Sequence, residues 1–353
     1  MSRSGDSGHA PMPSRPKKTR LSATTKGGRD VHDYSSGAHA CPPNRSPATA
    51  SGVGAREGID MILVVGATGA LGGLIARRLL ADGRNVRILV RPGSTYQPLV
   101  AAGAEAIIGD LKELSSLRAA CQGAWAVITT ANAALRSGTD TVATVDDEGN
   151  HNLITVAEEA GVRRFVFVSI LGSDPNSPSP LLRAKALTEE RLRASGMTFT
   201  ILQPDVYLDL LVANVVARPT LRGRPVVLVG EGRRRHSFVA MQDVAAYAAA
   251  MLDDPAAANQ TIPIGGPEPV SWRDVVEMAE HEVGRPIEIQ NIGLGEPVPG
   301  LPDLFNSVMT GLEMYDSPID MREAGTRYGV SPTSLQMWTH QIFGQTAAIA
   351  SAP

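Results

Sequence analysis

Three glycines spaced three apart, Gly66, Gly69 and Gly72 in GATGALG, follow directly on the β-rich run MILVV and lead into GLIARRLLADG, which has helical periodicity. A strand, a tight glycine turn and a helix start in that order make an anion site. The glycines let the backbone approach a ligand closely, and the first N–H groups of the helix point outward without internal acceptors. Gly66, Thr68, Gly69, Ala70, Leu71 and Gly72 are therefore the candidates for holding a pyrophosphate, with a ligand-free βα turn as the alternative. The spacing alone is weak evidence. Placed between the first strand and first helix of an alternating pattern, it is that of a dinucleotide site.

The second β-rich run, NVRILV, bears on which dinucleotide. An NAD-selective site ends this strand with an acidic residue that accepts hydrogen bonds from the ribose hydroxyls. Here no carboxylate stands between Asp82 and Glu105, and the window holds Arg84, Arg87 and Arg91. Arg91 lies at the strand's C-terminal edge, where a guanidinium meets a 2′-phosphate with two parallel hydrogen bonds. This favours NADP(H) over NAD(H) as cofactor; an ordinary surface arginine is the competing reading. Ligands in open α/β sheets lie beyond the carboxyl ends of the strands. Asp110 and Leu111 after the third strand are thus candidates for the adenine, and Thr130 and Ala131 after the fourth for the ribose and phosphates. Asp110 is equally suited to capping the helical stretch LKELSSLRAACQ.

These positions depend on the elements that carry them. From Met61, short runs (MILVVG, NVRILV, AEAIIG, WAVITT, FVFVSI, TFTILQ) alternate with longer helical stretches. This is the pattern of a doubly wound parallel sheet of Rossmann type, with a core over residues 61–204. After Pro204 the alternation loosens, with candidate strands in RPVVLV, RHSFVA and QTIPIG and helices in DVAAYAAAML and SWRDVVEMAEHEV. Residues 205–345 read as the end of the sheet interleaved with a smaller C-terminal lobe for a substrate, and 346–353 as a frayed tail.

Residues 1–60 differ from the rest, being rich in Pro, Ser, Gly, Lys and Arg with only Leu21, Val31, Val53 and Ile59 as large aliphatic residues. Such a segment buries too little apolar surface to offset its ordering entropy and reads as a disordered tail. A targeting segment, or translation starting at Met61, are the other readings. The chain's 353 residues are 43% apolar, enough for a sizeable core, and its net charge of −3 argues against a nucleic-acid partner. Cys41 and Cys121 offer neither a disulfide framework nor metal-ligand spacing, no metal is expected, and no apolar run reaches the ~20 residues of a membrane span. A cytoplasmic monomer or homodimer is the simplest expectation.

The glycine motif after MILVV, GDL after the third strand, GVRRFVFVS, the lysine of LLRAK, SGMTFTILQP and HSFVAMQDVAAY together resemble the atypical short-chain dehydrogenase/reductases, the nearest branch being the NmrA-like proteins. The likeness covers roughly residues 61–290. It implies NADP(H) binding and a lobe that closes a pocket over the nicotinamide. In that family a serine and a tyrosine hold the reacting oxygen while a lysine binds the nicotinamide ribose. By position the serine falls on Ser169 and the lysine on Lys185. The tyrosine falls on Leu181, which cannot donate a proton, and an asparagine used by some relatives falls near Asp146.

Leu181, Lys185, Thr188 and Leu192 share one helix face, which suggests an inward lysine; a solvated pair between Lys185 and Glu189 is the alternative. Tyr207 is the best-placed replacement donor, and the backbone around Pro204 and Val206 the expected contact for the carboxamide. His236 facing the lobe and an anion-attracting Arg233-Arg234-Arg235 run are weaker candidates beside packing and a solvated surface. Three functions fit: an NADPH-dependent reductase of a small-molecule acceptor (a conjugated carbonyl, quinone or activated double bond), a non-catalytic redox sensor with a protein partner, or an assembly factor in which the nucleotide is structural.

Overall fold

The computed structural model of the protein describes residues 60–350 apart from 134, 135 and 137; the expected tail over 1–59 lies outside the described residues. Seven parallel strands form one sheet in the order β3-β2-β1-β4-β5-β6-β9. They are β1 (Met61–Val65), β2 (Val86–Val90), β3 (Glu105–Ile108), β4 (Ala124–Thr129), β5 (Arg164–Val168), β6 (Thr198–Pro204) and β9 (Gln260–Ile264). The doubly wound Rossmann-type sheet expected from the alternation is present. Its first six strands overlap the six β-rich runs, starting or ending at most one residue outside them, and QTIPIG supplies the seventh, pairing Pro204 with Ile264 along β6.

Period-two alternation decides which side chains face which layer. Ile62, Val64, Ile88 and Ile128 pack on one face against α1 (Ala70–Ala81) and α7 (Met241–Ala250). Leu63, Val65, Val127, Phe165 and Phe167 pack on the other, against α3 (Leu114–Cys121), α4 (Glu148–Glu159) and the end of α5 (Pro180–Ala194). A short α2 (Gln97–Ala101) links β2 to β3. The central strands β1, β2, β4 and β5, buried on both faces, are almost continuously apolar, as expected for a parallel sheet under helices on both sides.

The chain after β6 adds to both parts of the molecule. A π-helical segment Leu208–Ala217, α6 (Arg218–Leu221), β7 (Val226–Val229), β8 (Arg235–His236), β10 (Val270–Ser271), α8 (Trp272–Val283), β11 (Ile289–Ile292), α9 (Asp303–Leu312), α10 (Arg322–Tyr328) and α11 (Leu335–Ala350) follow, with α7 and β9 returning to the sheet. The lobe has its own core of Trp272, Phe305, Trp338 and Phe343 around the π-helical segment and β7. Only the first two residues of RHSFVA are strand, paired antiparallel with β10. Helix α11 runs through Ala350, past residue 346 where a frayed tail was expected; alanine is the strongest helix former. Among the described residues no helix is long and apolar enough to cross a membrane.

Candidate functional site

The strand order reverses between β1 and β4, the place where such sheets open a crevice beyond their carboxyl ends. Gly66 leaves β1 there with φ +89°, and a Cβ on it would stand 2.6 Å from Thr130 Oγ1. Thr130 is itself tied to the end of β1 by its N–H donating to Val65 O at 3.0 Å. Gly72, in the first turn of α1, would put a Cβ 2.2 Å from Gly66 O, so helix and turn meet backbone to backbone. Gly69 caps α1 with no side-chain hydrogen bond, leaving the first-turn amides, Ala70 and Leu71 among them, to an outside acceptor. Thr68, Gly69 and Ala70 are part or fully exposed at this helix start.

The crevice continues along Gly66, Thr68, Arg91, Asp110, Leu111 and Ala131. Asp110 is not the cap of α3, whose N-cap is Glu113; its Oδ1 accepts from Lys112 N at 2.9 Å in a tight turn that faces the crevice. Of the three arginines near β2, Arg84 pairs with Asp253 and Arg87 with Glu105 and the carbonyls of Ala120 and Gln122. Arg91 alone of these lines the crevice. It does not point at empty space: Asp140, from the loop after β4, accepts from Arg91, from Lys112 Nζ at 2.6 Å and from Arg136 Nη1 at 3.5 Å. The Lys112 hydrogen bond, with the Arg91 charge beside it, holds the Asp140 carboxyl below the ordinary carboxylate range.

The second half of the candidate site lies at the ends of β5 and β6. Leu181, Lys185, Thr188 and Leu192 all turn inward on α5, as their spacing suggests. The solvated Lys185–Glu189 pair does not form. Lys185 Nζ instead lies 3.3 Å from Asp146 Oδ1 and 5.1 Å from the centroid of the Phe167 ring, with both charged side chains almost wholly buried. Asp146 Oδ2 accepts from Ala133 N at 2.9 Å, while Oδ1 has no partner in hydrogen-bond geometry. Asp146 is placed by a π-helical segment, Val142–Asp147, which a reciprocal Thr141–Thr144 capping box starts before it runs into α4.

Glu189 is buried too, at the hub of a different cluster. Its Oε1 accepts from Ser169 Oγ at 2.5 Å, Ser173 Oγ at 2.8 Å and Gln203 Nε2 at 2.9 Å, and Oε2 from Arg193 at 2.8 Å. Ser169 thus stands at the end of β5 with its hydroxyl proton already directed to a carboxylate.

Tyr207 does not present its hydroxyl to a ligand: the oxygen is buried without a partner, and burial pushes the phenol's ionisation far above its ordinary value. The backbone near the carboxamide's expected place is engaged as well. Pro204 O accepts from Leu171 N, Val206 O from Val239 N, and Asp205 N donates to Ile264 O. His236 is fully enclosed between Ser317 Oγ (2.7 Å from Nδ1) and Leu312 O (3.0 Å from Nε2), so it faces no open pocket. Arg233, Arg234 and Arg235 are paired with Glu231, Asp316 and Asp274 on the lobe surface.

The residues not singled out in the sequence are Lys112, Arg136 and Asp140 beside Arg91, and Ser173 and Gln203 beside Ser169, while Glu189 is legible only as a solvated partner of Lys185. None carries a local signal, since each gains its meaning from a partner on another element. The groups present suit a dinucleotide: a bare helix N-terminus for the pyrophosphate, apolar Leu111 and the acceptor Asp110 for the adenine, and cations beyond it.

Residues 66–255 match the family model described as NAD(P)H-binding. The NAD(P)H azoreductase of Xenophilus azovorans is 30% identical over 264 residues, 74% of this chain and 84% of that protein. The photosystem II assembly factor Ycf39 of Synechocystis sp. is 31% identical over 65% of this chain and 70% of its own length. Among solved structures, an NADPH-dependent quinone oxidoreductase from Escherichia coli complexed with NADPH superposes with a TM-score of 0.66 at 22% identity, over 80% of this chain and 100% of the other. The glycine turn at the sheet's switch point, the crevice and the family-model match agree: the chain belongs to the NAD(P)H-binding family.

Proposed function

We propose that the protein is an NADPH-dependent reductase of small conjugated acceptors: a quinone, a conjugated carbonyl or another activated double bond. The observation that carries this reading is the combination on α5 of a buried Lys185 and, one turn earlier, a buried Leu181. Lys185 on the inward face supports a cofactor-ribose ligand. Leu181 leaves the acceptor without a phenolic acid, a loss that matters most when an isolated alkoxide must be protonated as it forms. A conjugated acceptor spreads that charge.

When bound, the nicotinamide supplies hydride to the acceptor; the chain's own groups bind and orient. The α1 N-terminus holds the pyrophosphate, and Arg91, Lys112 and Arg136 supply the positive charge that favours a 2′-phosphate. Ser169, fixed by Glu189, lines the reacting end, where its oxygen is oriented by that hydrogen bond. Tyr207 serves as packing in this reading.

The test is to follow absorbance of reduced nicotinamide while the full chain is incubated with NADPH and a panel of quinones, azo dyes and enones. A Lys185→Ala, Asp146→Asn double variant is run beside it, so that neither partner is left as a lone buried charge. Turnover on at least one conjugated acceptor, lost in the variant, is expected. Tight NADPH binding with no acceptor reduced above background overturns the reading.

Leu181 and the match to Ycf39 favour a second reading, in which the dinucleotide is bound without turnover and the chain acts as a sensor or assembly factor for a protein partner. It predicts tight NADPH binding with no reduction of any acceptor.

A further inference from the structure

The crevice has no acidic residue at the end of β2, yet a carboxylate occupies that place. Asp140 reaches it from the loop after β4, with a side chain only 8% exposed. It gathers Arg91 from β2, Lys112 from the turn after β3 and Arg136 from its own loop. Asp110 lies 3.5 Å from the same Lys112. Arg91, Asp110, Arg136 and Asp140 all line the crevice that Gly66 and Thr68 open. Three cations from three elements, aimed at one point, are far more positive charge than a neutral ribose needs, and one buried carboxylate holds them together.

We propose that Asp140 is the cofactor-specificity residue: it stands in for the 2′-phosphate in the ligand-free protein, accepts from the ribose hydroxyls when NAD(H) binds, and is displaced when NADP(H) binds. The inference rests on the NADP(H) reading above. A phosphate monoester carries about −1.5 to −2 charges near neutral pH and brings three acceptor oxygens to the same cations. With Asp140 in place, the phosphate meets two carboxylates beside it and a cluster already neutralised in part. Its binding therefore includes the work of breaking the Asp140 pairs. The 2′-hydroxyl of NAD(H) needs no such exchange, because a carboxylate is the acceptor such hydroxyls use. Asp140 thereby lowers discrimination between the cofactors and keeps the cations from being left as unpaired charge when no phosphate is present.

Removing the charge tests this directly. Calorimetric titrations of the full-length chain with 2′,5′-ADP and with 5′-ADP are compared for the wild type, Asp140→Asn and Asp140→Ser, with circular dichroism to confirm folding. The variants should bind 2′,5′-ADP at least about ten-fold more tightly relative to 5′-ADP than the wild type does, equivalent to about 1.4 kcal/mol. The NADPH to NADH affinity ratio should move the same way. A ratio that is unchanged, or shifts toward 5′-ADP, overturns the role of Asp140.

Hydrogen exchange in the wild type needs no variant. Exchange over residues 138–145 should rise with saturating 2′,5′-ADP and not with 5′-ADP, and an equal response to both likewise overturns the displacement. Failure of the wild type to bind either NADPH or 2′,5′-ADP is a separate result: it refutes the NADP(H) reading itself.

Discussion

Gly69 and Gly72 are the same residue in one motif, yet the backbone around them asks different things of each. A Cβ at Gly72 would stand 2.2 Å from Gly66 O, a clash with backbone that no rotamer relieves. A Cβ at Gly69 would meet the same oxygen at 3.2 Å, a contact that a shift of a few tenths of an ångström accommodates. Gly72→Ala should therefore destabilise the protein by about 1–3 kcal/mol, the usual cost of overpacking, and weaken NADPH binding by displacing the turn from α1. Gly69→Ala should melt near the wild-type temperature while its methyl group partly covers the helix N-terminus. Thermal melts with and without NADPH separate the two, and equal losses of stability would refute this account. The spacing of these glycines is legible in the sequence because the constraint is local. The Asp140 cluster is not, because Arg91, Lys112 and Asp140 are brought together by three different crossovers of the sheet.

Helix α5 shows what an element adds to its residues. Its 3.6-residue period puts Leu181, Lys185, Thr188 and Leu192 inward, and this much can be read from the sequence. Glu189, next to that stripe, also turns in because Ser169, Ser173 and Gln203 converge on it from the ends of β5 and β6. That convergence depends on the pairing of β5 with β6, which leaves no mark within α5. The π-helical segments Val142–Asp147 and Leu208–Ala217 leave no mark of their own in the sequence for the same reason: the wider turn answers to tertiary packing. The helix also offers a gain of function. Leu181 stands one turn ahead of Lys185, so Leu181→Tyr puts a phenol where the superfamily resemblance places its acid. Positioned general acids contribute at least about a hundred-fold. The variant should gain on that order in kcat/KM for an unconjugated ketone while changing little for a quinone. Equal gains on both acceptors, or none on the ketone with the fold intact, would show that position 181 does not limit the chemistry.

Across the whole molecule, a buried polar chain joins the sheet to the lobe. Asp205, directly after β6, accepts from Ser317 Oγ at 2.6 Å and from Ser237 N at 2.8 Å; Ser317 in turn meets His236 Nδ1, and His236 Nε2 lies against Leu312 O at the end of α9. Desolvation holds His236 below its ordinary value of 6.5, opposed by the charges of Asp205, Asp316 and Glu313. Burial likewise raises Asp205 above its ordinary 3.8, opposed first by the Ser317 hydrogen bond. The two act on stability with opposite signs. A histidine kept neutral in the fold takes up its proton more readily when unfolded, so its contribution is complete above about pH 6.5 and is lost as pH falls below that. A carboxyl raised in the fold favours the folded state in acid, an effect complete below about pH 3.8 and lost as pH rises above it. Just below neutrality the histidine governs, since its window opens at 6.5 and runs downward. The melting temperature should therefore drop between about pH 7.5 and 5.5, with a slope of at most about 1.36 kcal/mol per pH unit from this one site. His236→Asn, less stable throughout because one of the two hydrogen bonds is lost, should show a flatter profile over the same range. Calorimetric scans of both proteins decide the matter: a wild-type melting temperature that rises on acidification would mean that Asp205 holds His236 charged in the folded state, and that the joint between sheet and lobe is an ion pair.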